Sequence, residues 1–372
     1  MAEKFSLKDH LFNVDTVTLL GGHFEDAGVF DGAPFVSAVM AEMPPLELKA
    51  RINLIADVLR HHLPGDFPAA ADAILAALPP PLDPTLKDDD FGHFIYAPLG
   101  VYVERHGMED HRDRGLDVLE AVTQRFSMEF SIRAFLNRWE SKTLERMQDW
   151  VVHDHYHVRR LVSEGTRPKL PWGQSVGVTP EQTLPLLDKL HGDPTRFVTR
   201  SVANHLNDLT KKDPGLVIGR LEAWQASDVQ NDVELTWMRK HALRGLIKAG
   251  NPAAMTHLGY RPDVSLTVDG WAITPDALAR GAAAEVRLGL TAQEDAPLII
   301  DYVVDFVKAN GTTAPKVFKF KVLDAKAGKP MTLKKKHVFK DNATTFTLYP
   351  GPHRIHAQIN GRIVASSSFT LT

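Results

Sequence analysis

The segment Val151–Gly173, VVHDHYHVRRLVSEGTRPKLPWG, carries the pattern that decides the fold of the first part of the chain. Its apolar residues recur at the i, i+3, i+4 spacing of a helix with one buried edge. They are Val158, Leu161 and Val162. Asp154 is the predicted N-cap of this helix, and Gly165 is its predicted end. The run that follows is basic, stiffened by proline and closed by a tryptophan. A cationic surface of this kind suits an anionic polymer.

The same pattern returns twice at an offset of 40 residues. HDHYHVRR (153–160) aligns with DPTRFVTR (193–200) and with VELTWMRK (233–240). A period near 40 built from paired helices indicates a HEAT-like α-solenoid, in which equivalent positions lie side by side on the concave face. The aligned basic residues would then form a cationic row spaced to follow a phosphate backbone. They are Arg160, Arg200 and Lys240, and the next aligned set is Glu164, Asn204 and Arg244. The alternative is that these cations are the solvated side of amphipathic helices.

Helical spacing covers most of the chain up to residue 248. We predict helices at Leu46–Leu63, Phe67–Leu78, Gly115–Gln124, Met128–Trp139, Thr143–Val152, Asp154–Glu164, Pro180–Leu190, Pro194–Leu209, Gly215–Ala226 and Val233–Lys248. From Pro262 short alternating runs predict strands at Leu266–Val268, Ala284–Leu290, Leu298–Val307, Val317–Leu323, Met331–Phe339, Thr344–Leu348, His353–Ile359 and Val364–Leu371. Asn310-Gly311 and Asn360-Gly361 are typical hairpin turns.

The predicted architecture is therefore mainly α, a HEAT-like solenoid followed by a smaller β-sandwich of immunoglobulin type. We expect a helical domain over 1–259 and a sandwich over 262–372, with the boundary near Gly259–Pro262.

Composition limits the possible functions. The 372 residues are 44% hydrophobic and 24% charged, as in ordinary globular proteins, and contain no cysteine. A disulfide, a thiolate metal site and a cysteine nucleophile are therefore excluded. Met1–Val17 has scattered charges and no apolar core, so we expect no signal peptide and a cytoplasmic location. The net charge of −3 combines 28 Lys and Arg against 36 Asp and Glu before Arg261 with 15 against 10 from there onward. Any nucleic-acid surface must therefore be local in the first part.

Three acids are predicted to lie on helices near the basic row. Glu129 is one turn before Arg133 and follows Ser127, a predicted N-cap, while Glu164 is one turn after Arg160. Asp208 ends the stripe that begins at Arg200 and passes Asn204. An acid four residues from an arginine is usually a surface ion pair, so each acid alone has a structural interpretation. Their common position beside the row favours a catalytic interpretation.

Other candidate residues have two interpretations each. Trp172 either packs in the core under the proline-rich turn or stands at the groove rim against a base or sugar. His153, His155 and His157 do not complete a metallohydrolase pattern, so we expect no metal site and favour capping or phosphate contact. Lys334, Lys335 and Lys336 lie on a predicted strand or its flanking loop. They cannot all be buried, so we expect a basic loop, which either reaches nucleic acid or serves as a solubilising edge. Phosphate-binding loops and cysteine nucleophiles are absent, and among enzymes we favour carboxylate chemistry.

Four stretches resemble a known family. EFSIRAFL (129–136), HVRRLVSEGTRPKLPWG (157–173), RSVANHLNDL (200–209) and HALRGLIKAGNPAA (241–254) are similar to the AlkC branch of bacterial alkylpurine DNA glycosylases, and the resemblance covers Leu46–Tyr260. The domain after Pro262 resembles the immunoglobulin-like extension of part of that branch.

The resemblance implies base excision repair of cationic alkylated bases such as 3-methyladenine and 3-methylcytosine, without full flipping of the base. It implies Glu129, Glu164, Trp172 and Asp208 near the lesion, and phosphate contacts by Arg159, Arg160, Arg200 and Arg244. The further DNA-binding candidates are Arg167 and Lys169 of the basic run, Asn204 and Lys240 of the repeat, and Lys334, Lys335 and Lys336 of the second domain.

Three functions compete at this point. The favoured one is a monofunctional DNA N-glycosylase, expected to act as a monomer on double-stranded DNA with no metal, no cofactor and no membrane. A carboxylate would stabilise the oxocarbenium-like sugar and act as base for water. The alternative is a non-catalytic DNA-binding or damage-sensing solenoid, for which carboxylates facing phosphate bring no benefit. A protein-binding scaffold is the third, and it predicts an apolar concave face.

Overall fold

The computed structural model describes residues 5–88, 90–341 and 347–372. The chain divides into two compact units. The helical unit runs through Lys211 and includes Leu221–Ala242, whereas the second unit consists of Lys212–Arg220 and Leu243–Thr372. The domain boundary predicted near residues 259–262 stays a prediction. Among the described residues, no helix has both the length and the apolar character needed to cross a membrane.

Most of the helices follow one another with short connections. In chain order they are α1 Leu7–Leu11, α2 Val14–Asp26, α3 Gly32–Glu42, α4 Leu48–His62, α5 Phe67–Ala77, a 3₁₀ turn Phe94–Tyr96, α6 Ala97–His106, α7 Arg112–Thr123, α8 Ile132–Arg138, α9 Glu140–Trp150, α10 Tyr156–Gly165, α11 Pro180–Leu190, α12 Arg196–Leu209, α13 Pro214–Ser227, α14 Asp232–Ala242, α15 Arg244–Lys248 and α16 Pro252–His257.

The stacking of α10, α12 and α14 is what the 40-residue repeat predicts. α10 packs against α12, α12 packs against α14, and α11 contacts both α10 and α12. The three repeat positions Val158, Val198 and Met238 are fully buried, as are Leu161 and Val162. Apolar residues at equivalent positions therefore form the shared core of this row, which fixes the side of α10 and α12 that remains for polar side chains.

Several predicted helix bounds are wrong. α10 begins at Tyr156 and its N-cap is His155, whose ring accepts a hydrogen bond from the His157 amide, so Asp154 lies outside the helix. α8 begins only at Ile132, and Glu129 therefore lies in the preceding turn rather than on a helix. The predicted helix Val233–Lys248 is divided between α14 and α15 by Leu243, whose backbone is not helical. Gly165 does end α10, as predicted.

The second unit contains two sheets. Its strands are β1 Leu266–Thr274, β2 Ala277–Leu278, β3 Ala283–Ala292, β4 Ala296–Val307, β5 Thr313–Ala325, β6 Pro330–Val338, β7 Gly351–Ile359 and β8 Arg362–Leu371. One sheet has the order β1-β3-β6 and the other β2-β8-β7-β4-β5. Side chains from both sheets form one apolar core, including Val286 and Leu288 of β3 and Ile300 and Tyr302 of β4. The sandwich is thus present as predicted.

The turns of the sandwich also follow the sequence. Asn360 and Gly361 join β7 to β8 with φ of 46° and 81°, a conformation in which asparagine and glycine are favoured. Gly311, with φ of 77°, lies in the connection of β4 to β5. The strand predicted at Thr344–Leu348 lies mostly outside the described residues, which omit 342–346.

Candidate functional site

The three predicted catalytic acids lie in one buried group of charges in the helical unit. We call this group, which consists of Glu129, Arg160, Glu164, Arg167 and Asp208, the ion-pair chain. Arg160 contacts Glu129 (Nη1–Oε2, 2.8 Å) and Glu164 (Nη2–Oε2, 3.7 Å). Arg167 contacts Glu164 (Nη1–Oε1, 2.6 Å) and Asp208 (Nε–Oδ2, 3.0 Å). Acids and arginines therefore alternate from the turn before α8, through α10, to the end of α12.

Serine hydroxyls hold two of these acids in place. Ser127 donates to Glu129 Oε2 at 3.0 Å and accepts from Arg160 at 3.1 Å. Ser201 on α12 is a donor to Glu164 Oε2 at 2.6 Å. Both oxygens of Glu164 are therefore occupied, one by Arg167 and one by Ser201. The sequence did not predict Ser201 as a site residue, because its hydroxyl comes within reach of Glu164 only when α12 packs on α10.

The charges of the ion-pair chain support one another. Burial alone would raise the pKa of Glu164, but the guanidinium groups of Arg160 and Arg167 and the Ser201 hydroxyl hold that pKa below its usual value. Burial likewise works to lower the pKa of Arg160, and the carboxylates of Glu129 and Glu164 raise it instead. Glu164 is therefore ionised at neutral pH although it is only 5% exposed. A fixed carboxylate in a poorly solvated place is suited to stabilising a nearby positive charge.

Arg133 does not form the predicted helix-surface pair with Glu129. It is 1% exposed and donates to the carbonyls of Gly165 at 2.8 Å and Arg167 at 2.9 Å, and also to that of Gln174. Burial lowers its pKa. Its role is to fasten the loop that follows α10, which carries Arg167 and Trp172. The i, i+4 spacing from Glu129 gave no sign of this, since Glu129 is not on a helix.

Trp172 lies at the surface and does not pack as a core residue. It is 61% exposed, its φ of 65° is unusual for a non-glycine residue, and its carbonyl accepts a hydrogen bond from Lys49 at 2.9 Å. It lines a cavity of about 160 Å³ together with Phe126, Ser127 and Met128. The indole thus stands beside the segment that carries Glu129, and the core-lid interpretation is wrong.

The predicted DNA-binding residues of the helical unit fall into two groups. Arg159, Arg160 and Arg167 are engaged inside the protein: Arg159 contacts Asp193 at 2.5 Å, and the Arg160 guanidinium lies 4.5 Å from the centre of the Phe197 ring. Lys169 and Lys240 are exposed. Arg200 forms an ion pair with Asp88, and Asn204 Oδ1 lies 2.8 Å from His241 Nε2. Arg244 is half-buried and belongs to the second unit. Whether each contacts DNA stays a prediction.

Lys334, Lys335 and Lys336 lie on β6, inside the strand predicted at Met331–Phe339, and not in a basic loop. β6 pairs with β3 at the margin of the three-stranded sheet, and all three side chains are exposed. Lys334 contacts Glu285 at 3.2 Å, and Lys335 Nζ donates to the carbonyl of Lys319 at 2.7 Å. The strand forms here because Leu333 and His337 are buried beneath it. Exposed lysines at this position fit both interpretations, a solubilising edge and a nucleic-acid contact.

The histidines have structural roles that the sequence only partly predicted. His155 caps α10, and its Nε2 lies 3.0 Å from the carbonyl of Leu82. His157 is buried, which lowers its pKa to about 3. His205 was not singled out, although burial lowers its pKa to about 4 and its Nδ1 lies 3.2 Å from the Ser163 carbonyl. Among residues 5–88, 90–341 and 347–372, no three His, Asp or Glu side chains are grouped to hold a metal ion.

Three comparisons relate this chain to known proteins. Residues 267–372 match the family model described as the C-terminal Ig-like domain of the uncharacterised protein YhaZ. The uncharacterized protein YhaZ of Bacillus subtilis (strain 168) is 32% identical over 338 residues, which are 89% of each chain. The structure of the Pseudomonas fluorescens alkylpurine DNA glycosylase AlkC, bound to DNA containing an abasic site analog, is 32% identical, with a TM-score of 0.87 over 99% of this chain and 100% of that one. The chain therefore belongs to the AlkC-type family of alkylpurine DNA glycosylases, in the form that carries an immunoglobulin-like C-terminal domain.

Proposed function

We propose that the protein is a monofunctional DNA glycosylase that removes small cationic alkylated bases, 3-methyladenine and 3-methylcytosine, from double-stranded DNA in base excision repair. The observation that carries this proposal is the ion-pair chain, which joins Glu129, Glu164 and Asp208. The exposed Trp172 lines a cavity with Ser127 and Met128, which directly precede Glu129. The AlkC structure described above, which is bound to DNA containing an abasic site analog, supports DNA as the partner.

The proposed reaction needs little help from an acid. Alkylation at N3 makes the base a cation, so the bond from its nitrogen to C1′ of the sugar breaks with both electrons going to the base, which leaves neutral. The sugar becomes an oxocarbenium-like cation, which water attacks at C1′ while a carboxylate takes the water proton. Carboxylates already ionised at the site stabilise that cation without reorganising. This chemistry calls for neither a metal nor a diffusible cofactor.

The contacts of the acids suggest different roles. Both oxygens of Glu164 are bonded to Arg167 and Ser201, so we assign it to electrostatic stabilisation of the sugar cation, with Asp208 beside it. Within the described residues, Ser127 and Arg160 both bond to Glu129 through its Oε2 atom. We therefore propose that Glu129 Oε1 holds the attacking water. The exposed indole of Trp172 would pack against the sugar or backbone of the damaged nucleotide.

DNA binding by the helical unit would rest mainly on its exposed cations. Lys169 and Lys240 are the first candidates, and Arg200 and Asn204 follow them. In the second unit the candidates are Arg244 and the lysines of β6. We propose that the base stays near the duplex rather than entering a deep pocket, and that the protein works as a cytoplasmic monomer.

The test uses a duplex carrying methylated adenine or cytosine and the purified protein with a chelator. The proposal expects release of the free base and a strand that stays intact until alkali cleaves it at the new abasic site. Cleavage of the strand by the protein alone would contradict a monofunctional glycosylase. Tight, salt-sensitive binding without base release would favour the alternative, a damage-sensing DNA-binding protein.

A further inference from the structure

We infer that Arg167, predicted from the sequence as a DNA contact, is instead a positioning residue that fixes Glu164 and Asp208 for catalysis. The inference rests on the function proposed above. A single guanidinium bonds both acids, through Nη1 to Glu164 and through Nε to Asp208. Arg167 as a whole is only 9% exposed. Reaching a phosphate would mean breaking both bonds and taking the nearest cation away from two buried carboxylates, which is strongly unfavourable.

The backbone of Arg167 is held as firmly as its side chain. Its carbonyl accepts a hydrogen bond from the buried Arg133 at 2.9 Å. The planar guanidinium presents donors in a fixed fork, so two acids on different helices can be oriented by one group. Lysine offers a point charge on a flexible stem, and it would satisfy one of the two acids at a time. Arginine at this position is therefore a matter of geometry as well as charge.

Arg167 also affects the protonation of Glu164. Burial favours the neutral acid, and the neighbouring cations oppose it. Charged or titratable groups from every element packed around Glu164 take part, namely Arg160 of α10, Arg133 of α8, Glu129 of the preceding turn, His205 and Asp208 of α12, and Arg167 itself. Replacing Arg167 with an uncharged residue removes one of the two cations that contact Glu164, so its pKa should rise.

The experiment compares Arg167→Met, Arg167→Lys and Lys169→Met by single-turnover base release from pH 4 to 8 and by DNA affinity at several salt concentrations. In Arg167→Met we expect excision to fall about 100-fold or more. The acid limb of its pH profile should move to higher pH, while the salt dependence of DNA binding stays that of the parent. Arg167→Lys should keep the parent acid limb but lose rate. Lys169→Met should weaken DNA binding and reduce the salt exponent by about 0.9 while keeping the parent acid limb.

The opposite outcome would overturn the inference. If Arg167→Met weakens DNA binding and lowers the salt exponent with an unchanged pH profile, Arg167 is a phosphate contact.

Urea unfolding between pH 3 and 7 gives a readout that does not depend on excision. Because the pKa of Glu164 is depressed on folding, its stabilisation is present at neutral pH and is lost as pH falls. The stability difference between parent and Arg167→Met should therefore shrink toward low pH. A constant difference would contradict the inference even if the parent released no base.

A separate segment carries a second inference. We propose that residues 82–88, 90 and 91, which we call the acidic strap, contact the first turns of α12, and that Asp88 competes with DNA phosphate for Arg200. The carbonyl of Lys87 accepts from the Phe197 amide at 3.1 Å, and Asp88 pairs with Arg200. Phe91 packs edge-on against Phe197 with ring centres 5.4 Å apart. The strap thus contacts α12 through a backbone hydrogen bond, an ion pair and an aromatic contact.

The strap pairs, through Asp88, with Arg200, which is a member of the cationic row that the repeat predicts. Arg200 cannot bind a phosphate fully while Asp88 neutralises it, so binding of ordinary duplex DNA is weakened. The strap is anchored at its start, where the Leu82 amide donates to Gln124 at 2.9 Å, and its end carries Phe91, which is 56% exposed. Displacement by DNA would therefore involve only the part from Lys87 onward. The consequence is lower affinity for undamaged DNA, which favours discrimination.

The test is fluorescence anisotropy with an unmodified labelled duplex at several salt concentrations. Asp88→Asn should bind several-fold more tightly than the parent at low salt. Its salt exponent should rise by about 0.9, the value for one additional phosphate contact. The matched control is Asp72→Asn, which removes the same charge from a pair with Arg114 on other helices. The gain should vanish in the Arg200→Ala background. Equal effects of Asp88→Asn and Asp72→Asn, or a gain that survives Arg200→Ala, would overturn the proposal. This assay measures binding, so it is independent of excision.

Discussion

Two sets of basic side chains, one between α10 and α12 and one on β6, carry the same charge but are held in opposite ways. The side chains of Arg160 and Arg167 are 14% and 11% exposed, and each contacts two carboxylates. The Lys334 side chain is 57% exposed and contacts a glutamate that is 49% exposed. A buried cation orients and ionises acids, whereas an exposed cation retains its freedom to meet a phosphate. Burial, rather than charge, is therefore what distinguishes the cations proposed to support catalysis from those proposed to attract DNA.

The largest effect should come from removing one charge of the ion-pair chain without changing its shape. Glu164→Gln keeps the size of the side chain but cannot stabilise the sugar cation, so single-turnover excision should fall by about 10²–10³-fold, with little change in DNA affinity. Glu145→Gln, whose carboxylate forms an exposed pair with Lys142, is the matched control and should behave as the parent. An active Glu164→Gln variant would remove this acid from the mechanism.

The next effect concerns stability. Arg160→Met leaves Glu129 and Glu164 without their shared cation in a buried place, so the free energy of unfolding should fall by about 3–5 kcal/mol. Lys142→Met breaks an exposed ion pair and should cost at most about 1 kcal/mol. Urea unfolding at pH 7 measures both. Equal losses in the two variants would mean that the buried pairs behave like surface pairs.

A third prediction uses the buried histidines of the same region. Burial lowers the pKa of His157 to about 3 and that of His205 to about 4, from an ordinary 6.5. The unfolded chain takes up these protons below pH 6.5 and the folded protein does not, so stability is present above that pH and is lost as pH falls. Each histidine should contribute about 1.4 kcal/mol per pH unit within its window. His157→Phe should flatten the dependence seen in urea unfolding from pH 6.5 to 4; a curve parallel to that of the parent would refute this.

The smallest effect should come from β6. Replacing Lys334, Lys335 and Lys336 together by glutamine should leave folding intact, since the side chains are exposed. If this strand meets DNA, affinity at low salt should fall and the salt exponent should drop by about 0.9 for each lost phosphate contact. Lys326→Gln, which removes an exposed lysine paired with Asp295 in the same unit, is the control. A salt exponent equal to that of the parent would mean that these lysines only solubilise the edge.

Periodicity predicted much of the architecture because it reports burial. The repeat at 40 residues placed Val158, Val198 and Met238 in one buried row, and alternating runs located most strands of the sandwich. The helices before residue 46 and α6 were not predicted, although the structure contains them. His155 rather than Asp154 caps α10, because an imidazole nitrogen accepts the amide hydrogen bond there as an aspartate would.

The site was predicted in its residues more than in its contacts. Glu129, Glu164 and Asp208 lie in one cluster. The spacing predicted a pair of Glu129 with Arg133, because it placed both residues on one continuous helix. The structure pairs Glu129 with Arg160 across two elements. Ser201 is distant in sequence from Glu164, its partner, and Asp88 is distant in sequence from Arg200. Their contacts depend on packing and on an irregular loop, for which spacing along the chain carries no signal.

The most direct measurement is a time course of 3-methyladenine and 3-methylcytosine release from methylated duplex DNA in the presence of a chelator, with the parent protein and Glu129→Gln side by side. The proposed mechanism predicts steady release by the parent and a rate for the variant that is lower by about two orders of magnitude at equal DNA occupancy. Equal rates for the two proteins, or no release by the parent on DNA that it binds, would contradict the assignment of the ion-pair chain as the catalytic centre.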